Sequence, residues 1–185
     1  PYSLMTLLRK AALAQGVRLV PHAVGALNQG GGKLSSLVLA NGDRIGCGHV
    51  VNAAGTGAGA VAAMAGIRLP VGPRKRYVYL LDCPAASEAL NAAPLTVDSS
   101  GIYFRPEGRH FLSGLSPDEA DEPGEMNWDV DYDWFDERIW PGLAARVPVF
   151  ETLKVINAWT GHYDYNALDQ NAVIGPHPDI GNFYF

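Results

Sequence analysis

Three short segments concentrate the residues able to do chemistry. The first is Val50-Val51-Asn52-Ala53-Ala54-Gly55-Thr56-Gly57-Ala58-Gly59-Ala60. An apolar stretch runs into it and a helical pattern leaves it. Small residues at such a junction let the backbone approach a ligand, and unpaired N–H groups at a helix start favour phosphate. Gly55-x-Gly57-x-x-Ala60 has the spacing of a dinucleotide fingerprint, which would make the chain an NAD-binding enzyme. The acidic residue that this motif needs about 20 positions later has no candidate, because Asp82 lies too far on and beyond a Pro-rich break. The competing reading is a strand-to-helix turn whose small residues serve packing. The second segment is Trp159-Thr160-Gly161-His162-Tyr163-Asp164-Tyr165-Asn166, followed by Asp169 and Val173-Ile174-Gly175-Pro176-His177-Pro178. Aromatic rings, imidazole and carboxylates crowd what reads as a loop between strands. Loops of this kind line cavities, or else cover the edge of a core. The third, Arg74-Lys75-Arg76, offers cations to a phosphate or a carboxylate, against the ordinary role of a solvated strand start. On a strand, Arg74 and Arg76 share one face and Lys75 takes the other.

The remaining titratable groups exclude more than they propose. Asp118, Glu119, Asp121, Glu122 and Glu125 lack the ligand spacing of a calcium loop. His22, His49 and His110 are isolated, so no metal is assigned. Cys47 and Cys83 show no metal or redox spacing and read as buried thiols in a reducing compartment. With 14 basic against 19 acidic residues the net charge is −5, which lacks the basic footprint of a nucleic-acid binder. No apolar run reaches the ~20 residues that cross a bilayer, so no membrane span is predicted. A 185-residue chain with 48% hydrophobic and 18% charged residues is neither disordered nor a coiled coil.

These groups need elements to hold them. Leu4, Met5, Leu7, Leu8, Ala11 and Ala12 predict a helix over residues 3–15, with Ser3 as its cap and Gly16 closing it. Residues 17–20 predict a strand that 24–27 continues, and 29–33 a turn. Residues 34–40 and 43–51 read as the arms of a hairpin around Asn41-Gly42. A helix over 58–65 closes at Gly66. Residues 70–73 break the pattern and mark a domain boundary. Beyond it, 76–82, 95–97, 102–105 and 110–114 predict short antiparallel strands, and 116–129 a loop. Residues 132–147 have a helical period interrupted at Trp140-Pro141-Gly142, and 151–160, 172–175 and 182–185 predict further strands. The fold class is α/β (α+β) in two layers. The first residue is Pro1 and the last run, Asn182 to Phe185, is aromatic and strand-like, so a fragment of a longer protein is expected.

In order, "VVNAAG", "LPVGPRKRYVYLLDCP", "GIYFRPEG", "RVPVFETLKV" and "AWTGHYDYNALDQNAVIGPHP" resemble the D-amino-acid-oxidase superfamily of flavoproteins over essentially the whole chain. "PRKRYVY" and "YDYN–DQN–GPHP" are specific to one branch, and "NAAG" is general. The resemblance implies part of an FAD-binding domain at residues 1–70 and an antiparallel-sheet substrate domain at 71–160. Residues 161–185 would return toward the first domain, and the pyrophosphate-binding βαβ unit would precede Pro1. On that reading Gly55-x-Gly57 is not the pyrophosphate loop. The implied cofactor is FAD, held non-covalently and not retained by this fragment alone. Val24, Ala53, Ala54, Gly55 and Gly161 are its implied neighbours.

The implied activity of the full-length protein is oxidation of the C–N bond of a small amine or amino acid by hydride transfer to flavin, with an unassigned electron acceptor. The fragment alone would be inactive. The implied setting is intracellular, cytoplasmic in a bacterium or mitochondrial in a eukaryote. Two departures matter. Glycine-oxidase-like members place an arginine after "W-x-G", where this chain has His162-Tyr163. Sarcosine-oxidase-like members carry a flavin-bonding cysteine near this loop and a lysine near the "GIYF" hairpin. Here residues 161–169 hold no cysteine, and Arg109 but no lysine lies between Arg105 and Leu115. The implied catalytic set is Tyr163, His162, Arg76 and Arg105, with an arginine of the sheet replacing the absent carboxylate partner. The same departures set two other readings beside an oxidase. One is a dehydrogenase; the other is a flavoprotein scaffold that helps assemble a respiratory complex.

Overall fold

The computed structural model describes residues 2–118 and 126–185. It divides into two compact units, one of Pro1–Ala53, Ala60–Arg68 and Val173–Phe185, the other of Ala54–Gly59 and Leu69–Ala172.

The first unit opens with helix α1 (Tyr2–Ala14), so Ser3 lies inside the first turn rather than capping it. No residue of α1 is buried, and Leu4, Met5, Leu7 and Leu8 are exposed. Residues 17–20 form no strand. Val17, Leu19 and Val20 are exposed, and no described strand pairs with them. β-Propensity without a hydrogen-bonding neighbour does not make a strand. Strands β1 (Val24–Gly30), β2 (Lys33–Leu39) and β3 (Arg44–Gly46) form an antiparallel sheet in that order. Gly31, Gly32 and Gly42 take φ of 60°, 72° and 91° in its two turns, a region that favours glycine. The return arm expected at 43–51 is two strands. After β3 the chain leaves the sheet, and β4 (Val50–Val51) pairs in parallel with β10 (Phe183–Tyr184). Residues 172–175 are not a strand; Pro176 bridges Tyr184 instead.

Leu27, Leu34, Val50, Ala65, Ile180 and Phe183 form the core of this unit. Asn182, 5% exposed, ties its parts together. Its Oδ1 accepts the Leu34 N–H, and its Nδ2 donates to the carbonyls of Leu34 and Gly48, each at 2.8 Å.

The 3-10 turn (Gly55–Gly57) of the second unit leads into α2 (Ala58–Ala63), whose residues from Ala60 on belong to the first. A Cβ at Gly59 would collide with the Val71 carbonyl oxygen, so this glycine is required by packing. A five-stranded antiparallel sheet follows in the order β6 (Thr96–Val97), β7 (Tyr103–Glu107), β8 (His110–Gly114), β5 (Val71–Asp82), β9 (Lys154–Asn166). β5 begins five residues before the expected strand and passes through Pro73. There it pairs only with β9, because β8 reaches no further than Tyr79 to Leu81, and proline is tolerated where one side lacks a partner. β9 in turn continues through 159–166, so the predicted loop is strand, and the predicted limit at 160 falls inside it.

Tyr77, Tyr79 and Leu81 of β5 face a layer made of α3 (Pro84–Leu90), α4 (Tyr132–Trp134), a π-turn (Phe135–Ile139), α5 (Trp140–Arg146) and a 3-10 turn (Pro148–Thr152). Phe150 meets Phe104 and Phe111 edge-on, with centroids 5.2 and 5.1 Å apart, an arrangement the ring quadrupoles favour. Asp131 caps this helical segment by accepting the Trp134 N–H at 2.9 Å. The expected interruption at Trp140-Pro141-Gly142 does not occur. A wide turn closed from the Trp140 N–H to the Phe135 carbonyl resets the register, and the helix continues through Pro141. Most of the acidic run lies outside the described residues, as does part of the loop predicted at 116–129. Cys83 is buried, whereas Cys47 is only half-buried.

Candidate functional site

The pleat of the second unit's sheet decides which side chains can act together. Odd-numbered positions of β5 from Lys75 to Leu81 turn toward the helical layer and are buried, while Arg74, Arg76, Val78 and Leu80 turn to the opposite, open face. Direct pairing places Tyr163 beside Arg74, Gly161 beside Arg76 and Trp159 beside Val78 on that face. From the other side, β7 and β8 contribute Tyr103 opposite Gly114 and Arg105 opposite Leu112.

On the open face, which also carries Arg74 and Arg105, Arg76 lies with the phenols of Tyr163 and Tyr103. The Arg76 guanidinium lies 5.8 Å from the centroid of the Tyr163 ring, within cation–π range. Its Nη1 donates to the Lys75 carbonyl at 2.6 Å. Tyr163 is 62% exposed. The Tyr103 ring crosses Gly114: a Cβ there would stand 2.9 Å from the Tyr103 Oη and 2.7 Å from the Tyr77 carbonyl oxygen, so glycine is required. Burial pushes the Tyr103 phenol above its ordinary pKa, the Tyr163 hydroxyl adds to this, and Arg105 opposes it. Tyr103 therefore keeps its proton as a donor. At Gly161 nothing lies within 4 Å of the place a Cβ would take. The open face is flat there, with Trp159 and Tyr163 on either side.

Of the four residues expected to be catalytic, His162 stands on the other face and Arg105 is engaged elsewhere on this one. His162 follows the pleat to the helix side, opposite Lys75, and packs edge-on against Trp128 at 4.9 Å. Neither of its ring nitrogens has a hydrogen-bond partner among the described residues. Arg105 is on the open face, but it is ion-paired with Glu107 and its side chain is 44% exposed. Such surface pairs contribute little. The residue the sequence left out is Tyr103. Its signal was the Tyr103-x-Arg105 alternation beside a hairpin partner ending in Gly114. Lys75 is 4% exposed, donates to the Asn127 Oδ1 and sits 5.2 Å over the Tyr77 ring.

The residues expected near the cofactor are placed as follows. In the first unit, half-buried Val24 begins β1 opposite Leu39, and Ala53 follows β4. In the second, Ala54 precedes the 3-10 turn, and Gly55 opens it with φ of 57°.

The chain's relatives can be set against this geometry. The family described as FAD dependent oxidoreductase matches residues 1–185. The chain belongs to this family. FAD-dependent oxidoreductase domain-containing protein 1 of Bos taurus is 51% identical over 152 residues, covering 75% of this chain and 31% of that protein. The chain thus spans about a third of the length of that curated relative. Among solved structures, L-proline dehydrogenase from P. horikoshii matches with a TM-score of 0.72 at 20% identity, covering 90% of this chain and 43% of that one. Glycine oxidase from Geobacillus kaustophilus matches with a TM-score of 0.68 at 21% identity, covering 87% and 40%. At these identities the likeness shows the fold, which is that of the D-amino-acid-oxidase flavoproteins. The family's cofactor is FAD, and the residues present fit it. No side chain stands over the sheet at Gly161, where the space is open to a planar ring, and Gly55 supplies a backbone turn without a side chain.

Proposed function

We propose that the full-length protein oxidises the C–N bond of a small amino acid or amine, and that the open face of the second unit receives the substrate. The observation that carries this reading is the convergence of Arg76, Tyr163 and Tyr103 on one face of the sheet. The names of two structural neighbours, a proline dehydrogenase and a glycine oxidase, support the substrate class. Arg76 is assigned to the substrate carboxylate, since a guanidinium offers two parallel hydrogen bonds to such a group. Tyr163 braces Arg76 through its ring and can donate one hydrogen bond. Tyr103, kept neutral by burial, donates a second. When bound, FAD supplies the acceptor for the hydride leaving the carbon next to nitrogen. Ala54, Gly55 and Gly161 of the second unit are the residues assigned to it. The open-face residues of β7 and β8 include Tyr103, Arg105, Leu112 and Gly114, with no lysine, and we assign the electrons to an acceptor other than oxygen.

Anaerobic mixing of the full-length flavoprotein with N-methyl and cyclic secondary amino acids tests this. Bleaching of the flavin band by carboxylate-bearing amines, followed by re-oxidation with an artificial acceptor, is expected. Absence of bleaching by every secondary or tertiary amine would overturn the reading.

A further inference from the structure

The helix-covered side of the second unit holds a cavity of about 250 Å³ that the open-face chemistry does not use. Its walls include Ile102, Phe104, Leu143 and Val147, with Asp98 and Arg146 also lining it. Ile102, Phe104 and Leu143 are core residues, 6%, 7% and 3% exposed, whereas the Arg146 side chain is 64% exposed and marks the entrance. The cavity lies across the sheet from Tyr103 and Arg76, because Phe104 occupies the opposite parity on β7.

We propose that this cavity is a binding site for a small monocarboxylate with a compact apolar body, an aryl or branched-alkyl acid. Size sets the body. A cavity of about 150 Å³ holds one benzene ring, so this one takes a ring with a short tail. Close packing sets the shape. α5 comes so near the β6–β7 turn at Gly142 that a Cβ there would collide with Ile102 Cδ1, yet the same helix leaves the space beside Leu143 and Val147 unfilled. Proteins seldom leave apolar voids of this size in a core, because the lining loses its contacts.

Hydrogen bonding sets the charge of the ligand. The Asp98 carboxylate is already engaged: one oxygen accepts the Ser100 N–H at 2.7 Å and the Ser100 hydroxyl, and the other is ion-paired with Arg146, 3.3 Å from its Nε. The two terminal amino groups of Arg146 make no hydrogen bond among the described residues. The donors left at the entrance therefore belong to a guanidinium, and they call for an acceptor that carries negative charge. An apolar cavity with one oriented polar group at its mouth is the usual make-up of a small-molecule site.

The site is tested on the full-length flavoprotein by calorimetry or saturation-transfer NMR with 3-phenylpropionate and its cationic counterpart, 3-phenylpropylamine. The acid is expected to bind at least about tenfold more tightly than the amine. Arg146→Gln should abolish that preference. Gly142→Ala should weaken both probes by driving Ile102 into the cavity. If that variant does not fold, Val147→Phe fills the space from the other end and should do the same. Arg76→Gln should leave probe binding unchanged, which separates this cavity from the open face and from the proposed function. No saturable binding in the millimolar range, equal affinity for the two probes, or a loss of binding with Arg76→Gln but not with Arg146→Gln would each overturn the proposal.

Discussion

Replacing Asn182 with alanine should loosen the first unit by about 3 kcal/mol, because two buried main-chain groups lose their partner at ~1–3 kcal/mol each. The side chain makes three 2.8 Å hydrogen bonds, two to the main chain of Leu34 and one to the Gly48 carbonyl. Gly48 is exposed, so water can replace its partner. Leu34 is 2% exposed, so its N–H and C=O would be left bare. At about 1.4 kcal/mol per factor of ten, local opening of β2 and β10 should become roughly a hundredfold more frequent. Hydrogen exchange by mass spectrometry on the full-length protein reads this directly, with peptides of the second unit as internal control. An acceleration below about threefold at β2, or an equal acceleration in both units, would refute this reasoning.

Gly114→Ala should lower the melting temperature and displace Tyr103, because the new methyl would press on both the Tyr77 carbonyl and the Tyr103 hydroxyl; near-ultraviolet circular dichroism and thermal melting check it. Burial holds the phenols of Tyr79 and Tyr103 above their ordinary pKa, so both are neutral in the folded and unfolded states below about pH 10. Above that, the unfolded state ionises first, and stability should fall as pH rises, which denaturation midpoints across the alkaline range would show. Tyr163→Phe keeps the ring beside Arg76 and removes one donor. KM for a carboxylate-bearing substrate should rise about three- to tenfold with kcat little changed; unchanged constants would make the hydroxyl a bystander.

Local chemistry made much of the fold legible. Asn41-Gly42, the glycines at 30–32 and the short runs at 102–105 and 110–114 announced their turns and strands, because hairpins depend on residues close together in the chain. Residues 17–20 misled for the opposite reason: their apolar, β-branched character needs a partner strand that local pattern cannot supply. The aromatic run after Trp159 was harder still. Its composition reads as loop, and only pairing with a β5 extended through Pro73 makes it strand. Alternation correctly separated Arg74 and Arg76 from Lys75, and the same rule applied to β9 separates Tyr163 from His162 once that segment is known to be strand. Gly55-x-Gly57 illustrates the limit of motifs. Its spacing matches a fingerprint, yet Gly59 is explained by the carbonyl of Val71 pressing on it.

The assignment of Arg76 to the substrate carboxylate is tested most directly by one paired measurement. Anaerobic flavin reduction is followed in wild-type and Arg76→Gln full-length protein, with an amino-acid substrate and with the matching amine that lacks the carboxylate. Loss of a charge-assisted pair predicts that the half-saturation concentration for the amino acid rises by about ten- to a hundredfold while that for the amine stays within about twofold. Equal effects on the two substrates, or no effect on either, would contradict the account.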